Sequence, residues 1–573
     1  MADSQGFNPV QVLKAFVRNS PWMFMAIAIH VILIAIAAVS YMQKHETPRE
    51  ETVTAIAVSA PREEFLEELV QPPEVIDRKA VPKNEEAELV TYEEDVYIPT
   101  TEAQVEDLRL DRGDPNALDN LPTGGTTGGT AIGVGSGGHH GTGKPSPYGG
   151  RKLGSGMKKG RAGGPTQGTE KAVLDGLRWL CRHQNPDGSW GLATLRDRCL
   201  PDQVCFNPKD ELDDHHDAGL TGLALLAFLG AGFSHESKQD IVDTTLGKRH
   251  KVGEVVKNGL MYLVKNQGPD GSFSKHRPHM YDEALASLAL AEAYGLTQNR
   301  YWKDPAQKGI DFLQQAQRPN PSGQGLWGWR YASRMDIEQL VGSGTGVDDS
   351  GARDLYDSDT SATGWAVMAL KSAQISGLNV KPESMQGAMA FCNFVTATSP
   401  QQSGLVGYQK PNQAGQTIGG KNDHFDYHIA SMSALGMCIR IFAEHNIDDP
   451  FLEAAAKRIV QDLPVVSAPD GEHKDRKSVD YYYWYYASLA LNQFDGPDSP
   501  RKSNKYWGPW NKAMVDAVIE LQDQSDRTCN SGGWIVRDRW TYDGGPVYTT
   551  AINVLTLEVY YRYENAFGGA KRN

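Results

Sequence analysis

A short segment recurs three times in the middle of the chain and limits what this chain can fold into. Its copies read DGLRWLCRHQNPDGSW at 175–190, NGLMYLVKNQGPDGSF at 258–273 and KGIDFLQQAQRPNPSGQGLW at 308–327. In each copy a glycine precedes an aromatic residue and a leucine, and a glutamine follows four residues after the leucine. This spacing predicts a helix that ends at the glutamine and turns through Pro and Gly. The glutamine amide is then free to cap backbone groups, and the next aromatic ring covers the turn.

A second, more apolar helix is predicted after each turn. Six such helices align without gaps, and they start at Asp217, Asp282, Asp359, Asp426, Asp480 and Pro546. Apolar residues cover all of their faces, which is typical of helices buried on every side. The helices before them are more polar and are expected to form an outer layer. The last helix, TTAINVLTLEVYYRY, lacks the polar face that caps an open solenoid. We therefore predict an all-α fold, an (α/α)6 toroid of inner and outer helix pairs over 169–567.

These repeats resemble the QW motifs of squalene/hopene and other terpenoid cyclases, a repeat type shared with protein prenyltransferases. The segment 175–190 carries the complete motif, 259–273 has Phe in place of Trp, and 309–327 has a longer turn. The later copies QSGLVGYQ, APDGEH and CNSGGW are less complete. The resemblance implies an α/α toroid that binds or processes a polyisoprenoid or another apolar substrate.

The resemblance also indicates candidate catalytic acids. Terpenoid cyclases protonate their substrate through an Asp-x-Asp-Asp-Thr motif, and the nearest segment here is YDSDTSATGW at 356–365. It supplies Asp357 and Asp359, with Thr360 in place of the third acid, so the acid motif is incomplete. Prenyltransferases hold zinc with an Asp-x-Cys pair and a histidine, and no such zinc site is expected here. We expect no metal and no other cofactor.

Five of the six inner helices begin with Asp, and this pattern has two interpretations. Asp is a favoured N-cap, and its charge suits the helix dipole. Alternatively, parallel inner helices would place these carboxylates around one entrance, where crowding separates their pKa values and suits acid–base chemistry. The second interpretation gives a set of candidate cavity residues: Asp217, Asp282, Asp426, Asp480, Trp365, Tyr482, Trp484 and Tyr548.

The six cysteines fall into two groups. Cys181, Cys392 and Cys438 lie in predicted helices and are expected to be small buried apolar residues. Cys199 and Cys205 lie in the long loop of the first unit, and Cys529 lies in the loop of the sixth. Since those units are neighbours in a closed ring, Cys529 could form a disulfide with Cys199 or with Cys205. The sequence leaves the pairing open.

The N-terminal region predicts a membrane anchor. Residues 19–43 contain no charged residue and are long enough to span a bilayer. Lys14 and Arg18 precede them, which favours residues 1–18 in the cytoplasm and the rest outside. A cleaved signal peptide is the alternative. His30 lies in the middle of the span, where it either packs against a helix or makes a polar contact in a membrane complex.

Two tether segments are predicted between the anchor and the ring. Residues 44–122 form an acidic, Pro-containing stalk, and residues 123–168 form a Gly-rich flexible linker. The stretch 46–114 alone holds 20 acidic against 7 basic residues, so most of the net charge of −14 belongs to the stalk. Anchor and stalk loosely resemble TonB-type energy transducers, which implies partners in the cell envelope. No basic aromatic patch supports nucleic-acid binding.

Three functional hypotheses follow. An inner-membrane, single-pass protein with an extracytoplasmic toroid could bind or process a polyisoprenoid, which requires a deep apolar cavity. It could instead be a non-catalytic envelope scaffold, which predicts a filled centre. A carbohydrate-active ring is the third hypothesis and would need two carboxylates about 5–10 Å apart in an open groove.

Overall fold

A computed structural model describes residues 148, 151 and 153 and most of the chain from 164 to 563. Within that stretch it leaves out 201–202, 206–215, 275–277, 344–354, 412–428, 445, 467–478, 502, 526, 536–537 and 539–540. The chain divides into two units, Met1–Pro99 and Thr100–Asn573, and all described residues belong to the second. The predicted span 19–43 and the stalk lie outside the described residues. None of the helices in the described part is long and apolar enough to cross a membrane.

Helices of two kinds alternate along the described chain. The outer helices are α1 (Gln167–Arg182), α3 (Val252–Asn266), α5 (Arg300–Ala316), α8 (Pro382–Val395), α10 (Pro450–Ile459) and α12 (Trp507–Leu521). The inner helices are α2 (Asp217–Gly230), α4 (Met280–Thr297), α7 (Thr360–Ser376), α9 (Ile429–Glu444), α11 (Tyr481–Asp495) and α13 (Thr541–Leu557). Two short helices, α6 (Arg334–Ser343) and α14 (Val559–Arg562), complete the set. The predicted helix starts are correct to within a few residues wherever they are described.

The inner helices form a closed ring. Each packs against the next in the order α2, α4, α7, α9, α11 and α13, and α13 returns to α2. Every residue of α2 is buried, as expected for a helix that is apolar on all faces. The outer helix α1 contacts both α12 and α13, so the first and last units meet at a seam. The prediction of a closed ring of six inner and six outer helices is therefore confirmed by these contacts.

The glutamine recurs at the same position in the repeats because its side chain joins two neighbouring units. The Gln184 Nε2 atom donates to Gly188 O in its own turn at 3.0 Å and to Val255 O in the next outer helix at 2.9 Å. Gln522 does the same at the seam, donating to Gly532 O and to Ala172 O at 2.8 Å each. The last unit is thus joined to the first by the same device as the others.

The aromatic ring after each turn covers the end of the outer helix. The Trp190 Nε1 atom donates to Leu180 O at 2.9 Å, and Trp534 Nε1 donates to Val518 O at 2.7 Å. In the third unit Trp329, not Trp327, makes this bond, to Leu313 O at 2.8 Å. The sequence alignment of that unit was therefore wrong by two residues, because its turn is longer than the alignment allowed.

Glycine in the turn is required by close approach between units. Gly188 has φ of 95°, and a Cβ atom there would lie 2.2 Å from Asn258 O in the next outer helix. Gly532 repeats this arrangement at the seam, with φ of 85° and 2.4 Å to Asp175 O. A side chain at either position would both strain the backbone and separate adjacent units.

Two features differ from the predicted all-α ring of uninterrupted helices. An antiparallel hairpin, β1 (Asp240–Asp243) with β2 (Lys248–Lys251), lies between α2 and α3. Its strands are four residues long, so their alternation is too short to stand out beside the helices. The helix α13 is broken at Gly545, whose φ of 54° and ψ of −159° are not helical. The break explains why the apolar pattern begins at Pro546.

Three residues assigned to the flexible linker are buried against one end of the ring. Tyr148, Arg151 and Leu153 are all buried, and the Tyr148 hydroxyl donates to Ser372 O at 3.1 Å. Arg151 Nη1 lies 2.7 Å from the Glu292 carboxylate, and Arg151 Nε donates to Arg562 O at 2.7 Å. These partners lie toward the C-terminal ends of the inner helices, so the three linker residues pack on that end of the ring.

Candidate functional site at the mouth of the ring

The N-terminal ends of the inner helices meet at the other end of the ring, which we call the mouth. Two of its acids are N-caps, as the capping interpretation predicts. The Asp359 carboxylate accepts from Ala362 N at 2.7 Å, and the Asp480 carboxylate accepts from Tyr483 N at 3.0 Å. Both side chains are buried, and each satisfies one of the free N–H groups at the start of its helix.

The other two described acids, Asp217 and Asp282, do not cap their helices, and each lies against a glycine instead. Asp217 is the first residue of α2. A Cβ atom on Gly191 would lie only 2.3 Å from the Asp217 Oδ1 atom, so the carboxylate lies directly against that glycine. Asp282 is in the first turn of α4, and its Oδ1 would lie 2.1 Å from a Cβ atom on Gly219 in α2. Glycines, one in the turn before α2 and one in α2 itself, therefore leave room for these two carboxylates.

Asp359 is fully buried and lies beside an arginine. Its neighbour Arg330 places Nη1 3.4 Å from the Asp359 carboxylate and Nε 3.1 Å from that of Asp357. Burial raises the pKa of Asp359 to about 6, although Arg330 works against that shift. Asp357 also accepts from Gln409 Nε2 at 2.6 Å. The two predicted catalytic acids thus share one arginine, and their catalytic role remains a prediction.

Hydroxyl groups from three inner helices meet beside Asp359. The Tyr281 hydroxyl of α4 donates to the Ser361 Oγ atom of α7 at 2.5 Å, and Ser361 also hydrogen-bonds the Tyr482 hydroxyl of α11. The hydroxyls of Tyr331 and Tyr408 bond to each other at 2.5 Å. This tyrosine cluster spans the mouth from one side of the ring to the other. Of its members, the sequence analysis included only Tyr482 among the candidate cavity residues.

Two histidines and an acid lie at the edge of the tyrosine cluster. His216 Nδ1 is 2.8 Å from the Asp282 carboxylate, and His279 Nδ1 is 3.8 Å from it. The His279 ring stacks on Tyr331 with centroids 5.7 Å apart. Burial and the neighbouring His216 lower the pKa of His279, while Asp282 opposes them. The ligand atoms of His216, His279 and Asp282 lie within 4.8 Å of one another, a spacing that could hold a cation.

Aromatic side chains fill the ring below the mouth. Trp365 stacks on Tyr485 at 5.8 Å and meets Tyr486 edge-on at 5.4 Å. Tyr485 and Tyr486 are fully buried, and Trp484 is 1% exposed. Trp365 and Trp484, predicted to line a wall, are therefore core residues in the described part of the ring. Tyr548, 9% exposed, lies higher, and its hydroxyl donates to the Asp538 carboxylate at 3.3 Å.

Asp538 is a mouth residue that the sequence analysis missed. Its carboxylate also accepts from Tyr481 N at 3.1 Å and from Thr541 Oγ1 at 2.9 Å. The sixth unit was expected to lack an acid because Pro546 occupies the aligned position, but the break at Gly545 leaves room for Asp538 upstream. The candidate Asp426 lies outside the described residues.

A second group able to hold a metal lies at the seam. It consists of His183, Cys199, Cys205 and Cys529, whose ligand atoms also lie within 4.8 Å of one another. All six cysteines are free thiols. Cys529 does lie beside Cys199 and Cys205, the two partners that the sequence allowed for a disulfide, but no disulfide is formed.

The molecule is an α/α ring whose mouth combines acids, tyrosines and histidines. No family model matches the chain. No curated protein matches it either.

Among solved structures, it is similar to the type II terpene cyclase MstE from Scytonema, with a TM-score of 0.41, 13% identity, and coverage of 69% of this chain and 98% of that one. It is also similar to the GH76A α-1,6-mannanase from Salegentibacter sp. HEL1_6, with a TM-score of 0.39, 12% identity, and coverage of 68% and 98%. An α-amylase from Clostridium perfringens gives a TM-score of 0.40, 11% identity, and coverage of 69% and 98%. Likeness at this level says nothing about activity.

Proposed function

We propose that the protein is a binding module whose mouth receives a protein partner, and that its N-terminal segment anchors it in the cytoplasmic membrane with the ring outside. The observation that carries this proposal is the filled centre. Trp365 of α7 stacks on Tyr485 and meets Tyr486 of α11 edge-on, and all three side chains are buried. A polyisoprenoid would need a deep apolar cavity at the place that these side chains occupy.

The acid motif also favours binding over cyclisation by protonation. A proton donor to an alkene needs a carboxylic acid aimed into the cavity, but Asp359 caps α7 and lies beside Arg330. Thr360, at the position of the third acid, donates its hydroxyl to Gly407 O at 2.7 Å. Both groups hold the local backbone in place, and neither points an acidic proton at a substrate.

The charge of the mouth indicates the kind of partner. The described part of the mouth holds Asp217, Asp282, Asp359, Asp480 and Asp538, and among them Arg330 pairs with Asp359. Charge complementarity therefore favours a partner segment that presents Lys or Arg. Such a contact would weaken with salt, because the outer part of the mouth is open to solvent.

Site-specific photo-crosslinking in the producing cells tests this proposal. A benzophenone amino acid at Tyr356, which is 44% exposed beside Asp357, should give a discrete adduct of higher mass. The same amino acid at Phe394, 49% exposed on the outer helix α8, is the matched control and should give none. Equal adducts at both positions, or none at Tyr356, would contradict binding at the mouth.

Native mass spectrometry of the full-length protein with a membrane lipid extract tests the rejected alternative. We expect the mass of the protein alone. A retained polyisoprenoid that is lost in Trp484→Ala would overturn the filled-centre argument and restore the first hypothesis.

A second candidate function, acid catalysis on a substrate held at the mouth, is favoured by one observation. The raised pKa of Asp359, about 6, keeps a fraction of this carboxyl protonated near neutral pH. For an enzyme of this kind, Asp359→Asn would abolish turnover of a substrate at the mouth while the fold persists. We expect no turnover by the parent protein.

A further inference from the structure

We propose that His183, Cys199, Cys205 and Cys529 bind a structural Zn²⁺ ion that joins the first and last units at the seam of the ring. The four residues come from three separate places in the chain. His183 follows α1, Cys199 and Cys205 lie in the loop before α2, and Cys529 lies in the loop before α13. The proposal does not depend on what binds at the mouth.

The distances within this group fit a tetrahedral site. The His183 Nε2 atom lies 3.4 Å from Cys205 Sγ and 3.4 Å from Cys529 Sγ. Zinc bonds of about 2.3 Å to sulfur and about 2.0–2.1 Å to nitrogen separate two tetrahedral ligands by roughly 3.5–3.8 Å. Three sulfurs and one imidazole nitrogen, a common structural zinc set, are thus already gathered at this spacing.

The histidine is held in the tautomer that a metal needs. Its Nδ1 atom lies 2.8 Å from Trp179 O, an acceptor, so Nδ1 carries the proton and Nε2 keeps its lone pair. The ring stacks on Trp179 with centroids 3.9 Å apart, which fixes its direction. Ligating histidines in metal sites are oriented by bonds of this kind.

Backbone N–H groups are aimed at two of the sulfurs. Cys205 N donates to Cys199 Sγ at 3.4 Å, and Leu200 N donates to Cys529 Sγ at 3.4 Å. Such bonds stabilise thiolates, which are the ligand form of cysteine. On metal binding the thiols would release their protons to solvent.

Charged and polar groups of both units hold the shell in place. Arg182 donates to Cys529 O at 3.2 Å and to Ser531 O at 2.7 Å, and its other end bonds Asp243 at 2.9 Å. Gln203 accepts from Cys529 N at 2.9 Å. The guanidinium also offsets the excess negative charge of three thiolates around a divalent ion. The expectation of no zinc overlooked the Asp-x-Cys pair of Asp197 and Cys199, whose cysteine belongs to this group.

Metal analysis of the full-length protein, purified with a reductant and without added chelator, tests the proposal. We expect about one zinc per chain. The variants Cys529→Ser and Cys205→Ser should each lose at least nine-tenths of it. Cys392→Ser, which removes a buried cysteine elsewhere, and His279→Ala, which removes the histidine cluster at the mouth, should keep it.

Cobalt substitution gives a readout that does not depend on stability. Co²⁺ added to metal-free protein should give the intense visible bands of a tetrahedral thiolate site. His183→Cys should retain one metal and shift these bands to longer wavelength, because sulfur replaces nitrogen. A metal-free parent with two fewer hydrogens in its mass, as a disulfide between two of these cysteines requires, would overturn the proposal. So would an octahedral Co²⁺ spectrum or iron–sulfur absorbance.

Discussion

At the scale of single residues, the mouth depends on polar groups that are buried and yet mostly engaged. Asp359 is fully buried, caps a helix and lies beside Arg330. The adjacent tyrosine hydroxyls bond to Ser361 and to one another. Such a network is rigid because breaking one of its hydrogen bonds leaves a buried polar group without a partner, which is costly.

The titration of Asp359 predicts a specific pH dependence of stability. Its pKa rises from 3.8 to about 6 on folding, so the folded protein holds this proton more tightly than the unfolded chain. Stability from this group is therefore greatest below pH 4 and falls as the pH rises to 6, by up to about 3 kcal/mol. Asp359→Asn keeps a good N-cap and removes the titration.

Thermal midpoints from pH 4 to 7 measure this effect. The midpoint of the parent relative to Asp359→Asn should fall as the pH rises. Asp516→Asn, an exposed acid on α12, is the control and should follow the parent throughout. Parallel curves for the parent and Asp359→Asn would contradict the raised pKa.

The sequence could predict a site residue only where that residue occupies the same position in several of the repeats. The helix starts at Asp217 and Asp480 follow from a repeated apolar pattern, and so did the aromatic run that contains Tyr482. Tyr331, Tyr408 and Asp538 lie in loops that differ between units, where no periodicity marks them. His183 and Cys529 are far apart in the chain, and only closure of the ring brings them together.

At the scale of helices and turns, the recurring device is the glutamine that joins two outer helices. Gln184, Gln267, Gln317 and Gln522 each donate to their own turn and to the adjoining unit. The recurring glutamine could be recognised in the sequence. The group that it bonds in the adjoining unit could not, because that group is a backbone carbonyl, which any residue can supply.

Removing one of these glutamines should loosen one junction. Gln522→Ala leaves the carbonyls of Ala172 and Gly532 without their donor, and we expect a loss of about 2–3 kcal/mol in unfolding free energy. Denaturant titration measures the loss. Gln324→Ala, in an exposed turn, should change stability by less than about 0.5 kcal/mol. An equal response of the two variants would argue against the junction.

At the scale of the whole molecule, the ring has two different ends. The mouth is polar and partly open, whereas Tyr148, Arg151 and Leu153 and a group of buried charges pack at the other end. Arg151 and Arg562 both bond Glu292, at 2.7 Å and 3.2 Å. Burial opposes ionisation of Glu292, but these two arginines lower its pKa to about 2. Breaking such a buried pair is costly because a charge is left behind.

Arg151→Met should therefore destabilise the full-length protein by about 3 kcal/mol and release the linker from the ring. Thermal unfolding measures the first effect, and the rate of protease cleavage around residues 148–153 measures the second. Arg249→Met, which removes an exposed pair with Asp240, should change neither. Unchanged cleavage in Arg151→Met would show that Tyr148 and Leu153 hold the linker without the ion pair.

The buried linker also decides how mechanical load enters the molecule. Tension applied through the chain before Tyr148 would act on the contacts of Arg151 with Glu292 and Arg562, at the C-terminal ends of the inner helices. The mouth would carry none of that tension directly. Tension on the chain before Tyr148 would thus leave the geometry of Asp359 and the neighbouring tyrosines unchanged.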